Sequence, residues 1–191
     1  MSNLKQALVG QVKKIKKLVF VSPIFFPSQL GLKTQRTKAG NIVGYHRKFT
    51  FIKTFPSANW VYDTVLALRG TACKIIVFVG TAAGISKNWA LGEIISYESG
   101  AKVKSLNSFW QETKLLVRNL RNQGYHAIDF ELEHFLKACR RIGRQAKFLL
   151  LIEDFLPEKP FYKISSRSDK EKIKKGKENL LAQCKTLAQN L

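Results

Sequence analysis

Carboxylate side chains are concentrated at two places in a sequence that has few acids. The chain carries 13 Asp and Glu against 33 Lys and Arg, yet five acids fall in two short groups: Asp129, Glu131 and Glu133, then Glu153 and Asp154. Paired carboxylates can act as general acid and base, or stabilise positive charge that develops in a transition state. The first group also lies at the start of a predicted helix, where the positive end of the helix dipole stabilises acidic side chains. The second group ends an apolar strand and is the better candidate for a site.

Other familiar sites lack their residues in this sequence. No predicted strand is followed by GxGxxG, and the loop after Val79 lacks the GK[ST] ending that binds phosphate. The three histidines, His46, His126 and His134, are not spaced with cysteines or acids as zinc ligands are. Ser86 lies outside a GxSxG elbow. We therefore expect no metal, no cofactor and no covalent nucleophile.

The elements that must position the acids alternate between strands and helices. The β-branched run Cys73–Val79 is typical of a strand buried on both faces, as in a parallel sheet covered by helices. Such a sheet collects binding residues at the carboxyl ends of its strands. The pattern predicts an α/β sandwich. The other predicted segments are strands over Lys17–Ser22, Phe49–Phe55, Glu93–Tyr97 and Lys147–Ile152, helices over Asn59–Arg69, Ser108–Asn122 and Ile128–Ile142, a polar loop over Gln29–Gly44 and a glycine loop over Gly80–Gly84.

The composition is that of one folded domain. Of the 191 residues, 45% are hydrophobic, which provides enough apolar surface for a core, so we expect a single domain over residues 1–191. The longest apolar runs are far shorter than the roughly 20 residues of a membrane span. Three cysteines without a CxxC pair indicate a reducing compartment. We expect a cytoplasmic protein.

The net charge of +20 includes a basic segment at each end of the chain. This charge predicts salt-sensitive attraction to phosphate-bearing partners or anionic surfaces. Residues 1–17 predict a basic amphipathic N-terminal helix, and residues 166–191 predict a basic C-terminal helix. Packing against the protein's own core is the simpler role of both helices. The alternative is contact with nucleic acid, or with an anionic membrane, which would make the protein peripheral at the inner membrane surface.

One pattern combines four segments of the sequence: Val77–Ile85, Leu91–Ile95, Ala127–Glu131 and Leu151–Asp154. Together they resemble the purine nucleoside phosphorylase and nucleosidase family, which includes the nucleosidases for methylthioadenosine and adenosylhomocysteine. Val77–Ile85 and Leu91–Ile95 resemble the family's strand, glycine turn and Gly-Asp-hydrophobic element. Ala127–Glu131 is similar to its Val-Asp-Met-Glu, and Leu151–Asp154 to its Ile-Ser-Asp strand end. The order and separation also match, so the resemblance covers about residues 45–191. It implies a three-layer α/β/α sandwich with a mixed, mostly parallel central sheet, and a homo-oligomer.

The resemblance also implies roles for individual residues. Glu131 would bind the ribose hydroxyls, and Asp154 would protonate the purine at N7 while the glycosidic bond breaks. Phe130, at the family's Met position, would give apolar support below the sugar. The glycine turn, with Gly80, Thr81 and Ala82, would line the side of the site that holds the ligand in place.

Two departures from the family's pattern bear on the reaction. Phosphorolytic members carry an Arg where this sequence has Phe78, and hydrolytic members carry a Glu where Ser22–Pro27 contains no acid. We expect cleavage of a purine nucleoside or a 5'-modified purine nucleoside, by water rather than by phosphate. The alternative is a catalytically lapsed protein of this fold that acts as a binding or scaffold protein. Ile24, Phe25 and Phe26 would suit a hydrophobic 5' substituent, although core packing is the simpler explanation.

Overall fold

The computed structural model describes residues 2–164 and 166–190. The described helices are α1 Ser2–Val9, α2 Ala58–Leu66, α3 Lys114–Asn122, α4 Leu132–Ile142 and α5 Arg167–Gln189. The described strands are β1 Leu18–Ser22, β2 Thr34–Arg36, β3 Ile42–Tyr45, β4 Phe49–Lys53, β5 Ile75–Gly84, β6 Ile94–Ser96, β7 Val103–Ser105, β8 Ala127–Asp129 and β9 Gln145–Phe155.

The chain forms two compact units. The first unit contains the chain up to Gly80, Glu131–Phe148 and the chain from Gln183, and the second contains Thr81–Phe130 and Leu149–Ala182. Both units are therefore discontinuous in sequence. The prediction of a single domain over residues 1–191 stays a prediction.

The first unit is built on a mixed sheet whose central strands are parallel. β1 lies between β4 and β5 and is parallel to both, with Leu18 opposite Phe49 and Ile75. β3 pairs antiparallel with β4, and β2 pairs antiparallel with β3. Every residue of β1 is buried, and α2 packs against α4. The predicted α/β class with a mixed central sheet is confirmed.

The polar loop predicted over Gln29–Gly44 is wrong, because this segment contains β2 and most of β3. All three residues of β2 are exposed. A strand without buried residues has no apolar alternation, so the sequence carries no strand signal there. In β3, Val43 and Gly44 are the buried residues, which is too short an apolar pattern to predict a strand.

β5 is longer than the sequence predicts. It continues to Gly84, so the glycine loop predicted over Gly80–Gly84 is wrong. The last two residues of β5 pair antiparallel with β8. A Cβ at Gly84 would lie only 2.5 Å from the ring of Phe155. Glycine is therefore required at this position by a close-packed neighbour and not by a turn.

The helix predicted over Ile128–Ile142 begins too early. Its first residues form β8, which pairs in parallel with β7, a strand that the sequence did not predict. The alternation of apolar and acidic side chains in Ala127–Glu131 has the period of a strand, and α4 starts after it. The helix predicted over Ser108–Asn122 likewise begins too early, because α3 starts at Lys114. The Thr113 hydroxyl caps α3 by accepting a hydrogen bond from the Leu116 amide at 3.2 Å.

Both terminal helices bury one side. α1 ends at Val9, because Gly10 follows with a φ of 73°, so the helix predicted over residues 1–17 is too long. Leu8 is buried in α1, and Leu180 and Cys184 are buried in α5. α5 corresponds to the helix predicted over residues 166–191, of which residue 191 lies outside the described residues, as does residue 1 of the first helix. The burial supports core packing as the role of both apolar stripes.

Two further observations concern what the described residues could do. No described helix is both long enough and apolar enough to span a bilayer. Cys73, Cys139 and Cys184 are buried free thiols, and burial raises the pKa of each to about 12. Such thiols are poor nucleophiles at neutral pH.

Candidate active site

Glu153 and Asp154 lie in the last part of β9, where their side chains point to opposite faces of the strand. Glu153 forms an ion pair with Lys177 of α5, with 2.6 Å between Glu153 Oε1 and Lys177 Nζ. This contact gives Glu153 a structural role. Asp154 is only 9% exposed, so its carboxyl group lies in a region of reduced solvent. Of the two candidates, Asp154 is therefore better suited to chemistry.

A second carboxyl group of the same unit, Glu112, lies close enough to Asp154 for the two charges to repel. Burial raises the pKa of Glu112 to about 7, with the negative charge of Asp154 as the second cause. Two neighbouring carboxylates cannot both ionise without a cost in free energy, and a pKa of about 7 leaves Glu112 partly protonated at neutral pH. A carboxyl group that holds a proton near pH 7 is suited to general acid catalysis.

The turn before α3 holds Glu112 in place. Phe109–Gln111 form one turn of 3-10 helix, and the Glu112 amide donates a hydrogen bond to the Phe109 carbonyl at 3.1 Å. The Asn107 amide donates to Gln111 Oε1 at 2.9 Å. On the other side of Glu112, Thr113 caps α3. The backbone is thus fixed both before and after the carboxyl group.

Sequence reasoning did not single out Glu112, because it lay within a predicted helix as an ordinary charged residue. One signal was present. Glu112 is the only acid between Glu98 and Asp129, and it follows the pair Phe109 and Trp110. An isolated acid beside aromatic residues in a basic segment is a candidate for a carboxyl group with a shifted pKa.

Phe130 contributes an aromatic surface to the second unit. Its ring centroid lies 4.3 Å from that of Phe109. Phe130 packs against the buried core of this unit, whereas Phe109 is 60% exposed. The Phe130 ring is therefore anchored in the core, while the Phe109 ring is largely exposed to solvent. The predicted contact of Phe130 with a sugar stays a prediction.

Gly80, Thr81 and Ala82 are consecutive residues of β5 and not part of a turn. Gly80 and Ala82 are buried, and Thr81 is partly buried. Successive amides of a strand point toward opposite edges, so these residues do not direct a row of amides at one ligand, as a glycine turn would. The hydroxyl of Thr81 is the side-chain group of this segment that could bind a ligand.

Two acids of the first predicted group lie in different environments. Glu131 occupies the N-cap position of α4 in the first unit, yet its side chain makes no capping hydrogen bond. Capping therefore does not account for this acid, and its predicted role at the ribose stays a prediction. Asp129 is 2% exposed, and its carboxylate accepts a hydrogen bond from Ser105 Oγ at 2.5 Å. That contact joins β7 and β8 and gives Asp129 a structural role.

Phe78 belongs to the core of the first unit. It is 1% exposed, and its ring centroid lies 5.4 Å from that of Phe135 in α4. Phosphorolytic members of the family that the sequence resembles carry a phosphate-binding Arg at this position. A buried ring packed against another ring offers no charge and no hydrogen-bond donor to phosphate.

The segment after β1 has a buried side and an exposed side. The Ser22 hydroxyl accepts hydrogen bonds from the amides of Ile24 at 3.2 Å and Phe25 at 2.8 Å. Phe25 is 2% exposed and is a core residue, whereas Ile24 and Phe26 are 38% and 42% exposed. Lys53 Nζ, at the end of β4, lies 5.2 Å from the centroid of the Phe26 ring, a cation–π contact. The exposed surface here is apolar with one lysine.

The described histidines do not belong to a cluster of side chains that could bind a metal ion. No three His, Cys, Asp or Glu side chains of residues 2–164 and 166–190 come together as metal ligands do. His46 Nδ1 accepts a hydrogen bond from the Lys48 amide at 3.3 Å, and His126 Nδ1 accepts one from the Lys102 amide at 3.1 Å. Both histidines therefore stabilise local backbone.

Comparison with known proteins identifies the fold. No protein-family model and no curated protein matches the sequence. The chain is similar to uridine phosphorylase from Vibrio fischeri ES114 complexed with 6-hydroxy-1-naphthoic acid, with a TM-score of 0.71, 16% identity and 90% of each chain covered. A second structure of that uridine phosphorylase gives a TM-score of 0.69 at 15% identity over 90% of this chain and 91% of the other. Purine nucleoside phosphorylase from Toxoplasma gondii in complex with immucillin-H gives 0.71 at 14% identity over 95% of each chain. The predicted nucleoside phosphorylase-like fold is confirmed.

Proposed function

We propose that this chain cleaves the N-glycosidic bond of a nucleoside, and that its substrate is a purine nucleoside or a 5'-modified purine nucleoside. The observation that carries the proposal is the proximity of Glu112 to Asp154, whose charge together with burial raises the pKa of Glu112 to about 7. The pair occurs in a chain with the nucleoside phosphorylase fold, and the similar structures are named for uridine and purine nucleosides.

The leaving base explains why such a proton is needed. When the bond between C1' of the sugar and the base breaks, its electron pair stays with the base, and an oxygen nucleophile bonds to C1'. Without a proton the base would depart as an anion, so a general acid lowers the barrier. Asp154 delivers this proton to N7. The proton comes from Glu112, because burial and the charge of Asp154 raise the pKa of Glu112 to about 7, and it passes to N7 through Asp154.

The remaining assignments follow the resemblance. Glu131 accepts hydrogen bonds from the ribose hydroxyls and stabilises the positive charge that develops on the sugar. Phe130, already paired with Phe109, provides apolar support below the sugar. Gly80, Thr81 and Ala82 line the side of the site that holds the ligand in place, and the Thr81 hydroxyl is the polar side-chain group there.

The nucleophile in this proposal is water. Phe78 is buried against Phe135 and cannot hold phosphate. The exposed side chains of Ile24 and Phe26 suit a hydrophobic 5' substituent, whereas buried Phe25 does not contribute. We place the enzyme in the cytoplasm and propose that it is a homo-oligomer. Analytical ultracentrifugation of the purified chain tests the oligomeric state.

A screen for base release tests the proposal. The purified chain is incubated with adenosine, inosine, guanosine, uridine and methylthioadenosine, each with and without inorganic phosphate, and free base and sugar products are separated by chromatography. We expect release of a purine at a rate that phosphate does not raise, with free ribose or the 5'-modified sugar as the second product. Phosphate-dependent release with sugar 1-phosphate as product would contradict hydrolysis.

The second candidate function is a catalytically lapsed binding or scaffold protein. It is favoured by the two departures that bear on the nucleophile, Phe78 and the acid-free segment Ser22–Pro27. A folded chain that releases no base from any nucleoside, yet binds one of them in a calorimetric titration, would establish this alternative and exclude the enzyme.

A further inference from the structure

Five basic side chains surround one recess in the first unit. The recess has a volume of about 410 Å³, and its floor includes Leu18 and Ile75, where the parallel strands β1 and β5 begin. The cations come from three separate segments of the chain. They are Lys16 and Lys17 before β1, Arg47 and Lys48 between β3 and β4, and Lys74 before β5.

Hydrogen bonds fix the backbone that carries these cations. The Lys74 amide donates to the Lys17 carbonyl at 2.8 Å, which joins the starts of β1 and β5. The Lys16 amide donates to Thr50 Oγ1 in β4 at 3.1 Å. The recess therefore has its shape before a ligand arrives, and a preorganised site loses less entropy on binding.

The charge of the recess is not balanced by acids. Among residues 2–164 and 166–190, no acidic side chain lines the recess and none of the five cations forms an ion pair. Lys48 Nζ donates to the Gln189 carbonyl near the end of α5 at 3.0 Å, which is a neutral partner. Like charges around one recess repel one another and destabilise the folded chain, and a ligand of opposite charge would relieve this repulsion.

We propose that this recess binds a compact anion that carries at least two linked phosphate groups. Five cations match the density of negative charge that linked phosphates provide, and the planar guanidinium of Arg47 can bind phosphate oxygens in pairs. A volume of 410 Å³ is within the range of small-molecule sites, roughly 300 to 1,000 Å³. The source of the phosphates is inorganic polyphosphate or the phosphate tail of a nucleotide.

The recess suits a small ligand better than a macromolecule. It is concave, whereas a bilayer surface contacts exposed faces and side chains that extend from them. The part of its lining that the structure describes contains no aromatic side chain on which a base of single-stranded nucleic acid could stack. The non-basic lining residues are Leu18, Ile75 and Ala188.

The recess is distinct from the candidate active site. It lies at the amino end of β5, and Gly80 lies five residues further along the strand, or roughly 15 Å at the rise of a β-strand. The proposal therefore does not depend on nucleoside cleavage. Failure of the chain to release a base leaves phosphate binding at this recess unaffected.

Calorimetric titration with inorganic tripolyphosphate tests the proposal, at constant ionic strength and with sulfate as the control anion. The double variant Arg47→Gln with Lys74→Gln removes two exposed cations from separate segments of the recess. Its matched control, Lys170→Gln with Lys174→Gln, removes the same charge from the exposed side of α5. Parallel titrations use a nucleoside triphosphate, a mixed-sequence single-stranded oligonucleotide and vesicles with anionic lipid.

We expect tripolyphosphate to bind more tightly than sulfate, and the recess variant to lose at least about 10-fold in affinity, because two charge-assisted contacts disappear. The control variant should change less than about 2-fold. A nucleoside triphosphate that binds more tightly than tripolyphosphate identifies a nucleotide as the source, and equal binding identifies the phosphates alone; both support the site. Equal losses in the two variants, or no binding of tripolyphosphate, overturn it. So does an oligonucleotide or a vesicle that binds more tightly than tripolyphosphate and loses its affinity specifically in the recess variant.

Discussion

At the scale of single residues, Asp154 carries the proposed proton transfer. Asp154→Asn keeps the shape and polarity of the side chain but removes its ability to take up a proton and pass it to the base. We expect the variant to remain folded, to bind the nucleoside, and to lose at least about 100-fold in the rate of base release. Steady-state kinetics with the best nucleoside of the screen measures this loss. Asp63→Asn, the same change at an exposed residue of α2, is the control.

Two results would contradict this assignment. Full activity of Asp154→Asn would show that another group protonates the base. Loss of folding, seen by circular dichroism, would show that Asp154 is a structural acid held by its neighbours.

The raised pKa of Glu112 predicts a pH dependence of stability. Since burial and the charge of Asp154 raise this pKa to about 7 in the folded chain, the folded state binds the proton more tightly than the unfolded state. The wild type therefore loses stability as the pH rises from about 4.5 to about 7, and the loss is complete above that range. Glu112→Gln removes this loss. Because solvent screens the partly exposed carboxyl group, we expect roughly 1 kcal/mol of added stability at pH 8 and almost none at pH 4.

Urea denaturation at both pH values measures this difference. Glu178→Gln, at an exposed residue of α5, is the matched control and should show no such pH dependence. If Glu112→Gln changes stability equally at pH 4 and pH 8, Glu112 does not hold a proton in the folded chain at neutral pH.

At the scale of elements, sequence patterns predicted those segments whose burial is visible in composition. β1, β4, β5 and β9 are apolar runs, and each was found with limits that differ by a few residues. β2 and β7 were missed, because neither has a buried residue and each is only three residues long. Backbone hydrogen bonds to neighbouring strands stabilise a strand of that kind, and they produce no side-chain pattern that the sequence could show.

The candidate site was predictable to a similar extent. Asp154 stands out because it follows an apolar run, and the resemblance assigns it a role. Glu112 does not, because its pKa depends on burial and on a charge that lies 42 positions further along the chain. Gly80–Ala82 were placed in a turn, because small residues that permit close packing of a strand have the same composition as those that permit a turn.

Packing of α5 gives a test at this scale. A Cβ at Gly176 would lie 2.5 Å from the carbonyl oxygen of Gly92, which is backbone and cannot move aside easily. In an exposed helix position, Gly→Ala stabilises by about 1 kcal/mol. Here we expect Gly176→Ala to destabilise the chain by roughly 1 to 3 kcal/mol in urea denaturation. Lys175→Ala, at the exposed neighbour, should stay within about 0.5 kcal/mol, and a stabilising Gly176→Ala would refute the close contact.

At the scale of the whole molecule, the net charge of +20 predicts general attraction to polyanions. This attraction comes from released counterions and is not confined to the recess. We expect binding to RNA or to anionic vesicles to weaken at least about 10-fold between 50 and 200 mM salt. Fluorescence anisotropy and vesicle sedimentation measure it. Binding that stays unchanged across that range would show that the charge is not responsible.

The discontinuity of the two units has a consequence for how the chain is made. The first unit contains β1 near the start of the chain but also Cys184 and Ala188, which are buried in the last turns of α5. A ribosome that adds roughly 5 to 20 residues per second needs about 8 to 33 s to proceed from β1 to Ala188. In the later part of that interval, after β1, β4 and the first residues of β5 have been synthesised, part of the cover of these apolar strands is still missing. We therefore expect a chain that ends before Gln183 to expose apolar surface of the first unit and to be more prone to aggregation and proteolysis than the full sequence.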